Sequence, residues 1–423
     1  MMNCDQMNYK DRLQVASTGI IIQRRPFFPL CASLFYFRIP PELWDDRIKK
    51  VKAAGYNTID VYFPWNFHEE DEGRFNFSED RDVACFLDTV KRHGLYVIAR
   101  PGPYICSEWD GGGLPAWLYV KENIKLRQND PGFLQYVERW YKQVIPIIRD
   151  RQVTEEGPVL LLQVENELDF FVCEDRQGYL AALCRMVKEM GITVPVTACI
   201  GKGDLYGAVG GVDGILPTLN LYPEDREPGI EEGLLRVVSD FTNRNLPVIV
   251  TETGRNHLLL RRLLSAGVKG LAPFLQVSGT NFGFWTSVND WKKPLAFLTT
   301  DSDFGGMIDP AGRLRAEYYE GRLLAGFISS FTEELLQAKP TFSNDVRCSN
   351  PQIGAMGNEG TQKMQSLIAP NGTVFLFPAN LTDSDLETRI TLAGETFPRF
   401  SRFFVKKDRV PIVVYRLPLD KWG

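Results

Sequence analysis

The 423-residue sequence predicts an α/β chain, a (β/α)₈ TIM barrel followed by an antiparallel β domain. Three observations predict it. Strand-like and helix-like patterns take turns eight times over about 300 residues, the rhythm of a parallel sheet wrapped by helices. Several of the strand-like runs are short and apolar without polar alternation, as in strands buried on both faces. No G-x-G-x-x-G follows the first strand, which weakens the rival open, doubly wound sheet.

The elements follow in order. Residues 1–28 form a lead-in, with a small hairpin expected over 13–28 around the turn Thr18-Gly19. The barrel is assigned to 29–335. Pro29–Leu34 is its first strand. A helix over Pro41–Ala54 follows, with Leu43, Ile48, Val51 and Ala54 at helical spacing, prolines in its first turn and Gly55 at its end. Thr58–Phe63 is the second strand, Asp80–His93 a helix stopped by Gly94, and Leu95–Ala99 the third strand. The helix Phe133–Ile148 precedes the fourth strand, which lies within Gly157–Leu168, read GPVLLLQVENEL. Helix Tyr179–Met190 ends at Gly191, and Val194–Ala198 is the fifth strand. Gly214–Leu221 is the sixth, blurred by Pro217. Helix Ile230–Asn243, strand Leu246–Val250, helix His257–Ala266, strand Gly270–Val277 and a helix near Arg315–Phe327 complete the count. After Glu333 the pattern changes. Asn371-Gly372 sits between two apolar runs, a strong hairpin signal. Arg389–Leu392, Phe400–Val405 and Val410–Tyr415 read as further strands of a 336–423 domain. That pattern breaks off at Trp422-Gly423, so the natural chain is expected to continue.

Bulk properties exclude several classes. Net charge is −5 with no basic tract, which argues against nucleic acid and anionic membrane as partners. No run of eighteen apolar residues spans a membrane. The N-terminus lacks the apolar core of a leader, and the eight cysteines form no C-x-x-C, so a reduced, cytoplasmic protein is expected. Three histidines far apart in sequence make a metal site unexpected, and no cofactor is implied. Whether copies associate into a homo-oligomer is open.

The chemistry gathers at the strand ends, where barrels keep it. Strand four stops in Gln163, Glu165, Asn166 and Glu167. Tyr62, Trp65 and Asn66 follow strand two. Arg100, Tyr104, Glu108, Trp109 and Asp110 follow strand three. Glu252 follows strand seven, and Asn281 and Trp285 follow strand eight. Alternation along an extended segment sends Glu165 and Glu167 one way and Asn166 the other, so the strand must twist or bulge for Asn166 and Glu167 both to reach a ligand. Opposed carboxylates among aromatics are the equipment of glycosidic bond cleavage. One donates a proton to the leaving oxygen and the other attacks the anomeric carbon.

Five stretches carry a specific resemblance: FYFRIPP (35–41), YFPWNFHE (62–69), RPGPYICSEWDGGGLPAWL (100–118), GPVLLLQVENEL (157–168), and GTNFGF (279–284). They resemble glycoside hydrolase family 35, the β-galactosidase family of the retaining (β/α)₈ clan. The resemblance implies a retaining exo-β-glycosidase acting on an oligosaccharide or glycoside. It casts Glu167 as acid/base, Glu252 as nucleophile and Asn166 as the amide on the sugar 2-hydroxyl. Tyr62, Glu108 and the backbone at Cys106 and Ser107 match sugar-binding positions, and Asn281 and Trp285 close the set.

The chain also departs from the family. Thr253-Gly254-Arg255 replaces the aromatic residues after the nucleophile, Phe35 stands for a histidine, and Ser302-Asp303-Phe304 for Tyr-Asp-Tyr. Lost hydroxyls change sugar recognition, so β-glucosidase or β-glucosaminidase activity is the alternative, and a non-catalytic carbohydrate-binding protein the alternative of another class. Glu165 is expected to support the strand rather than react, and Glu108 has Arg100 as an alternative partner. Trp109, Trp117 and His68 read as structural, Gly111–Gly113 as a tight backbone passage, and Cys106 not as a nucleophile.

Overall fold

The computed structural model describes residues 7–9, 12–201, 209, 211–287, 300–342, 346–356 and 362–418. Its centre is an eight-stranded parallel sheet: β1 (Cys31–Ser33), β2 (Thr58–Tyr62), β3 (Tyr96–Gly102), β4 (Val159–Val164), β5 (Val196–Ile200), β6 (Ile215–Leu221), β7 (Ile249–Thr253) and β8 (Gly270–Pro273). Each strand pairs with its sequence neighbours, so the spatial order follows the chain from β1 to β8. The sheet closes where Leu271 N–H donates to Pro29 O at 2.9 Å and Leu30 bridges Leu271 in parallel. Closure leaves no edge and puts all eight carboxyl ends on one rim.

Helices α1 (Pro41–Ala53), α2 (Val83–Arg92), α3 (Pro131–Arg149), α4 (Arg176–Glu189), α5 (Ile230–Asn243), α6 (His257–Ser265) and α7 (Ala316–Ser330) pack outside. Their ends follow the local chemistry. Asp82, Asp130, Asp175 and Asn256 accept first-turn N–H groups as N-caps. Gly55 and Gly94 end α1 and α2 with φ of +84° and +66°, where a Cβ is strained. The connection from β5 to β6 falls largely outside the described residues.

Two strands lie off their expected places. The seventh runs Ile249–Thr253 rather than Leu246–Val250. Asn245 is left-handed at φ +57° and Leu246 N–H returns to Phe241 O at 2.8 Å. The apolar run therefore begins in the closing turn of α5, and Glu252 falls inside the strand. The eighth ends at Pro273 rather than Val277, with Phe274 N–H making its last bond to the seventh strand, at Thr253 O, 2.9 Å away.

The lead-in is a four-stranded antiparallel sheet, with Ser17-Thr18, one residue before the expected turn, joining Leu13–Ala16 to Gly19–Ile22. Beyond Ala338 the chain makes separate antiparallel sheets. Gln365–Ile368 pairs with Val374–Phe377 across Asn371-Gly372, and Val413–Tyr415 adds to the latter. Ile390–Leu392 and Phe403–Val405 are strands, while Phe400 is exposed outside one. No described helix is long and apolar enough to cross a membrane.

Candidate active site

Glu252 sits on β7, paired in register with Asn220 on β6, and is 8% exposed. Three donors address its carboxylate. Tyr62 OH donates to Oε2 at 2.6 Å, Asn220 Nδ2 donates to Oε2 at 3.2 Å, and Tyr222 OH donates to Oε1 at 2.6 Å. Arg100, buried below, places Nη1 3.7 Å from Oε2 and donates to Tyr62 OH at 2.9 Å. Its Nε pairs with buried Asp60 at 2.6 Å, and it also donates to Thr251 O. So Asp60, not Glu108, is the partner of Arg100.

Glu167 approaches from β4. Its Oε1 accepts from the same Asn220 nitrogen at 3.1 Å, so one amide bridges the two carboxylates. Burial, and then the charge of Glu252, push the Glu167 carboxyl up to about 7.

The end of β4 supplies the expected twist by an abrupt backbone change. The strand stops at Val164, and Glu165 and Glu167 take φ of +57° and +46°. Left-handed non-glycine residues are strained and persist only where neighbours hold them. Arg127 clamps Glu165 through Nε at 3.1 Å and Nη2 at 2.8 Å, and also donates to Asn166 O at 2.8 Å. Tyr179 OH adds a bond to Glu165 at 2.9 Å. Glu165 is thereby turned away from Glu167 and consumed in support. Asn166 Oδ1 accepts from Gln163 Nε2 and Cys199 Sγ, each at 3.3 Å, which orients the amide. The Glu167 N–H donates to the same sulfur at 3.2 Å.

The segment after β3 forms the facing wall. Cys106, Ser107 and Glu108 are all left-handed, with φ of +54°, +55° and +45°. Arg38 Nη2 holds their carbonyls, donating to Ser107 O at 3.0 Å and Glu108 O at 2.9 Å. Asn281 buttresses from behind, its Oδ1 accepting from Arg38 Nε at 3.0 Å. Burial pushes the Cys106 thiol up to about 12, which keeps it protonated and unsuited to attack. Gly112 is needed here, since a Cβ would stand 2.0 Å from the Tyr104 ring.

The aromatics sort by place. Trp285 stacks on Trp109 at 5.2 Å and meets Phe284, which is 70% exposed, at 4.7 Å. Trp109 is buried and donates to Asn66 Oδ1. Trp65 lies fully buried against Trp140, so it packs the barrel wall rather than lining the mouth. His68 is buried between Tyr36 OH and Asn76 O, and burial lowers it to about 3. Phe35 packs on Tyr62 at 5.4 Å and on Phe274, which also meets Phe304 at 6.0 Å. Two of the departing positions thus join one apolar wall. Asp303 is engaged by Arg315 at 2.6 Å and Ser278 at 2.7 Å.

Sequence reasoning missed Asn220, Tyr222 and Arg127. The polar break in LNLYP at the end of β6 was the available signal for the first two. Among the described residues no group of His, Cys, Asp and Glu could hold a metal ion.

A family model described as glycosyl hydrolases family 35 matches residues 19–260. The chain belongs to family 35. Mouse β-galactosidase is 32% identical over 420 residues, covering 94% of this chain and 62% of that protein. Human β-galactosidase is 34% identical over 313 residues, covering 70% and 45%. The family 35 chain therefore spans about half to three-fifths of the length of these curated relatives. Among solved structures, the exo-β-1,4-mannosidase from Opitutaceae bacterium strain TAV5 has a TM-score of 0.53 at 14% identity, covering 80% of this chain and 64% of that one. The β-galactosidase from the psychrophilic Marinomonas ef1 has a TM-score of 0.52 at 13% identity, covering 73% and 62%. At such identities the likeness is one of fold.

Proposed function

We propose that this family 35 chain is a retaining exo-β-glycosidase, a β-galactosidase in the first instance, removing terminal non-reducing β-linked sugars from glycosides or oligosaccharides. The observation that carries the reading is the bridge made by Asn220. One nitrogen holds Glu167 Oε1 at 3.1 Å and Glu252 Oε2 at 3.2 Å. A donor shared by both carboxyl groups supports the close pair of double displacement, ~5–5.5 Å apart, rather than the wider pair, ~6.5–9.5 Å, that admits a water. Double displacement suits the closer spacing.

In this reading Glu252 attacks the anomeric carbon while Glu167 gives its proton to the departing glycosidic oxygen. A glycosyl ester on Glu252 and a free alcohol result. Glu167, now a carboxylate, takes a proton from water, whose oxygen displaces Glu252 and releases the sugar with its configuration kept. Asn166, with its oxygen tied to Gln163 and Cys199, turns its amide nitrogen to the 2-hydroxyl. Tyr62, Glu108 and the backbone at Cys106 and Ser107 bind other hydroxyls, with Asn281 behind them and Trp285 at the rim.

A second reading concerns the sugar. The wall of Phe35, Phe274 and Phe304 offers no hydrogen bond where the family resemblance leads one to expect polar groups, which favours β-glucosidase or β-glucosaminidase activity.

The test is a panel of nitrophenyl β-glycosides with wild type and Glu252→Gln. The variant is expected to keep its circular dichroism and melting temperature while kcat falls at least about a thousandfold. Proton NMR of the first product should show the β anomer. Full activity in the variant would overturn the assignment. Glycan binding by calorimetry without hydrolysis of any panel member would favour a carbohydrate-binding protein.

A further inference from the structure

The loop that leaves β6 carries Tyr222, whose hydroxyl holds Glu252 Oε1 at 2.6 Å. Tyr222 is 54% exposed, so its place is set by the backbone beneath it more than by packing. That backbone is short and stiff. Pro223 fixes its own φ, and the four residues after it close into a turn. Glu227 N–H donates to Glu224 O at 2.8 Å, and Glu224 N–H donates to the Glu227 carboxylate at 3.2 Å. Two sets of contacts hold this turn. The first comes from the barrel: Arg262 Nη1 donates to Asp225 O at 2.8 Å, and Asn256 donates to the Asp225 carboxylate. The second comes from the C-terminal β region. Arg226 Nε pairs with Asp408 at 2.7 Å, and its Nη1 with Asp383 at 2.8 Å. Those two acids stand on turns that are themselves joined. Buried Asn380 donates its N–H to Arg409 O at 2.9 Å and its Nδ2 to Ser384 O and Val405 O at 2.9 and 2.8 Å. The same turns are fastened to the barrel helices. Val410 O accepts from Arg261 of α6 at 3.1 Å, and Arg409 pairs with Glu320 of α7 at 2.9 Å.

A lone surface ion pair holds little, but one guanidinium on two carboxylates, with their turns joined by a buried amide, is a network, and networks are the exposed pairs that count. Arg226 lies inside the closed turn, four residues after Tyr222. A displacement at Arg226 moves the turn as a unit and passes through Pro223 to the phenol. We infer that Arg226 is a positioning residue of the active site, through which the C-terminal β region seats the loop that aims Tyr222 at Glu252. The inference rests on Glu252 being the nucleophile of the proposed reaction. The β region then serves the chemistry without touching a reacting atom. A phenol–carboxylate hydrogen bond weakens steeply as its angle worsens, and a misplacement of ~1 Å is enough to slow a reaction. Losing the tie should therefore lower kcat, while sugar binding, which uses the walls beyond β2, β3 and β4, stays nearly as it was.

The experiment compares the intact wild-type chain with Arg226→Met and with the double variant Asp383→Asn, Asp408→Asn. Asp408 has a φ of +56°, a conformation asparagine also accepts. Two readings are taken. One is hydrogen–deuterium exchange of the amides of 224–231, without substrate. The other is kcat and KM on the nitrophenyl glycoside that wild type hydrolyses fastest. Exchange is expected to quicken about fivefold in both variants. The fall in kcat should be about fivefold, the scale an exposed ion-pair network supplies, with KM and melting temperature nearly unchanged. The two ends act as one tie, so combining all three substitutions should add less than about twofold. The deciding measurement is a double-mutant cycle. In Tyr222→Phe no hydroxyl is left to aim, so Arg226→Met should cost less than about twofold there, whereas a merely structural tie would cost the same in both backgrounds. A wild type silent on every glycoside counts against the glycosidase reading, and the tie is then judged on exchange alone. Unchanged exchange, unchanged kcat in an active enzyme, or a full effect of Arg226→Met in Tyr222→Phe would overturn the inference.

Discussion

At the scale of single residues, the proposed reaction asks different work of two nearby acids. Glu167 is crowded by buried surface and by the charge of Glu252, which together raise its carboxyl to about 7. In the proposed reaction Glu167 is the acid and works only while it holds its proton, so kcat/KM is expected to fall as pH rises through about 7. A pH profile with a fast aryl glycoside and a slow alkyl one checks this, and the slow substrate should show the steeper loss. The same shift has a stability consequence. The folded carboxyl holds its proton above the ordinary value of 4.5, so its contribution is full below that value and is lost as pH rises through about 7. Glu167→Gln should therefore be more stable than wild type at pH 8, by roughly 3 kcal/mol, and equal to it at pH 4. Melting curves at the two pH values decide it. Tyr222 is the third donor to Glu252, and Tyr222→Phe should lower kcat about ten- to a hundredfold with little change in melting temperature. Glu167 and Glu252 were legible in the sequence because each interrupts an apolar run at a strand end. Asn220 and Tyr222 were not, because Pro217 blurred the strand that carries them.

At the scale of elements, the decisive feature is the break at the end of β4. A strand that continued would send Glu165 and Glu167 to one face. Two left-handed residues separate them instead, and the Arg127–Glu165 pair holds that conformation. Removing one member of a buried ion pair leaves the other charged and unpaired. Arg127→Met is therefore expected to cost about 3–5 kcal/mol in urea unfolding. It should also lower kcat in the fraction that stays folded, because Asn166 loses the donor on its carbonyl. Stability near wild type in this variant would show that the loop holds itself. The carboxyl ends of the helices were the most legible part of the chain, since Gly55 and Gly94 act through local backbone geometry, whereas the Asp-capped starts at Val83, Pro131 and Arg176 lie two or three residues from their expected places. The β4 break was legible only as a requirement. Its cause, Arg127, comes from the loop before α3, thirty-eight residues earlier.

At the scale of the whole molecule, part of the C-terminal β region is built into the barrel's apolar core, while Leu376, Ile390 and Val405 belong to a second cluster within that region. Leu367, Phe375 and Phe377 are buried in the same cluster as the barrel strands. Phe375 packs edge-on against Phe327 of α7 at 5.6 Å and Phe331 at 5.3 Å. Gln365 Nε2 donates to Ser265 O at the end of α6 at 2.9 Å. Just past that helix, Lys269 Nζ donates to Leu335 O and Ala338 O at 3.0 Å each, tying the entry to β8 to the helix that leads out of the barrel. The change from barrel to antiparallel pattern was visible in the sequence as a change of period. The docking was not, because a buried phenylalanine reads the same whichever neighbour buries it. The two regions are therefore expected to unfold together, in one calorimetric transition rather than two. Phe375→Ala should lower the melting temperature of the whole chain, at a cost of about 3–5 kcal/mol for an aromatic removed from a packed core. Circular dichroism of the helices, which lie almost wholly in the barrel, should shift with it. If only a part of the signal moves, and the helical transition stays in place, the β region is an independent unit and the shared core contributes nothing to the barrel's stability.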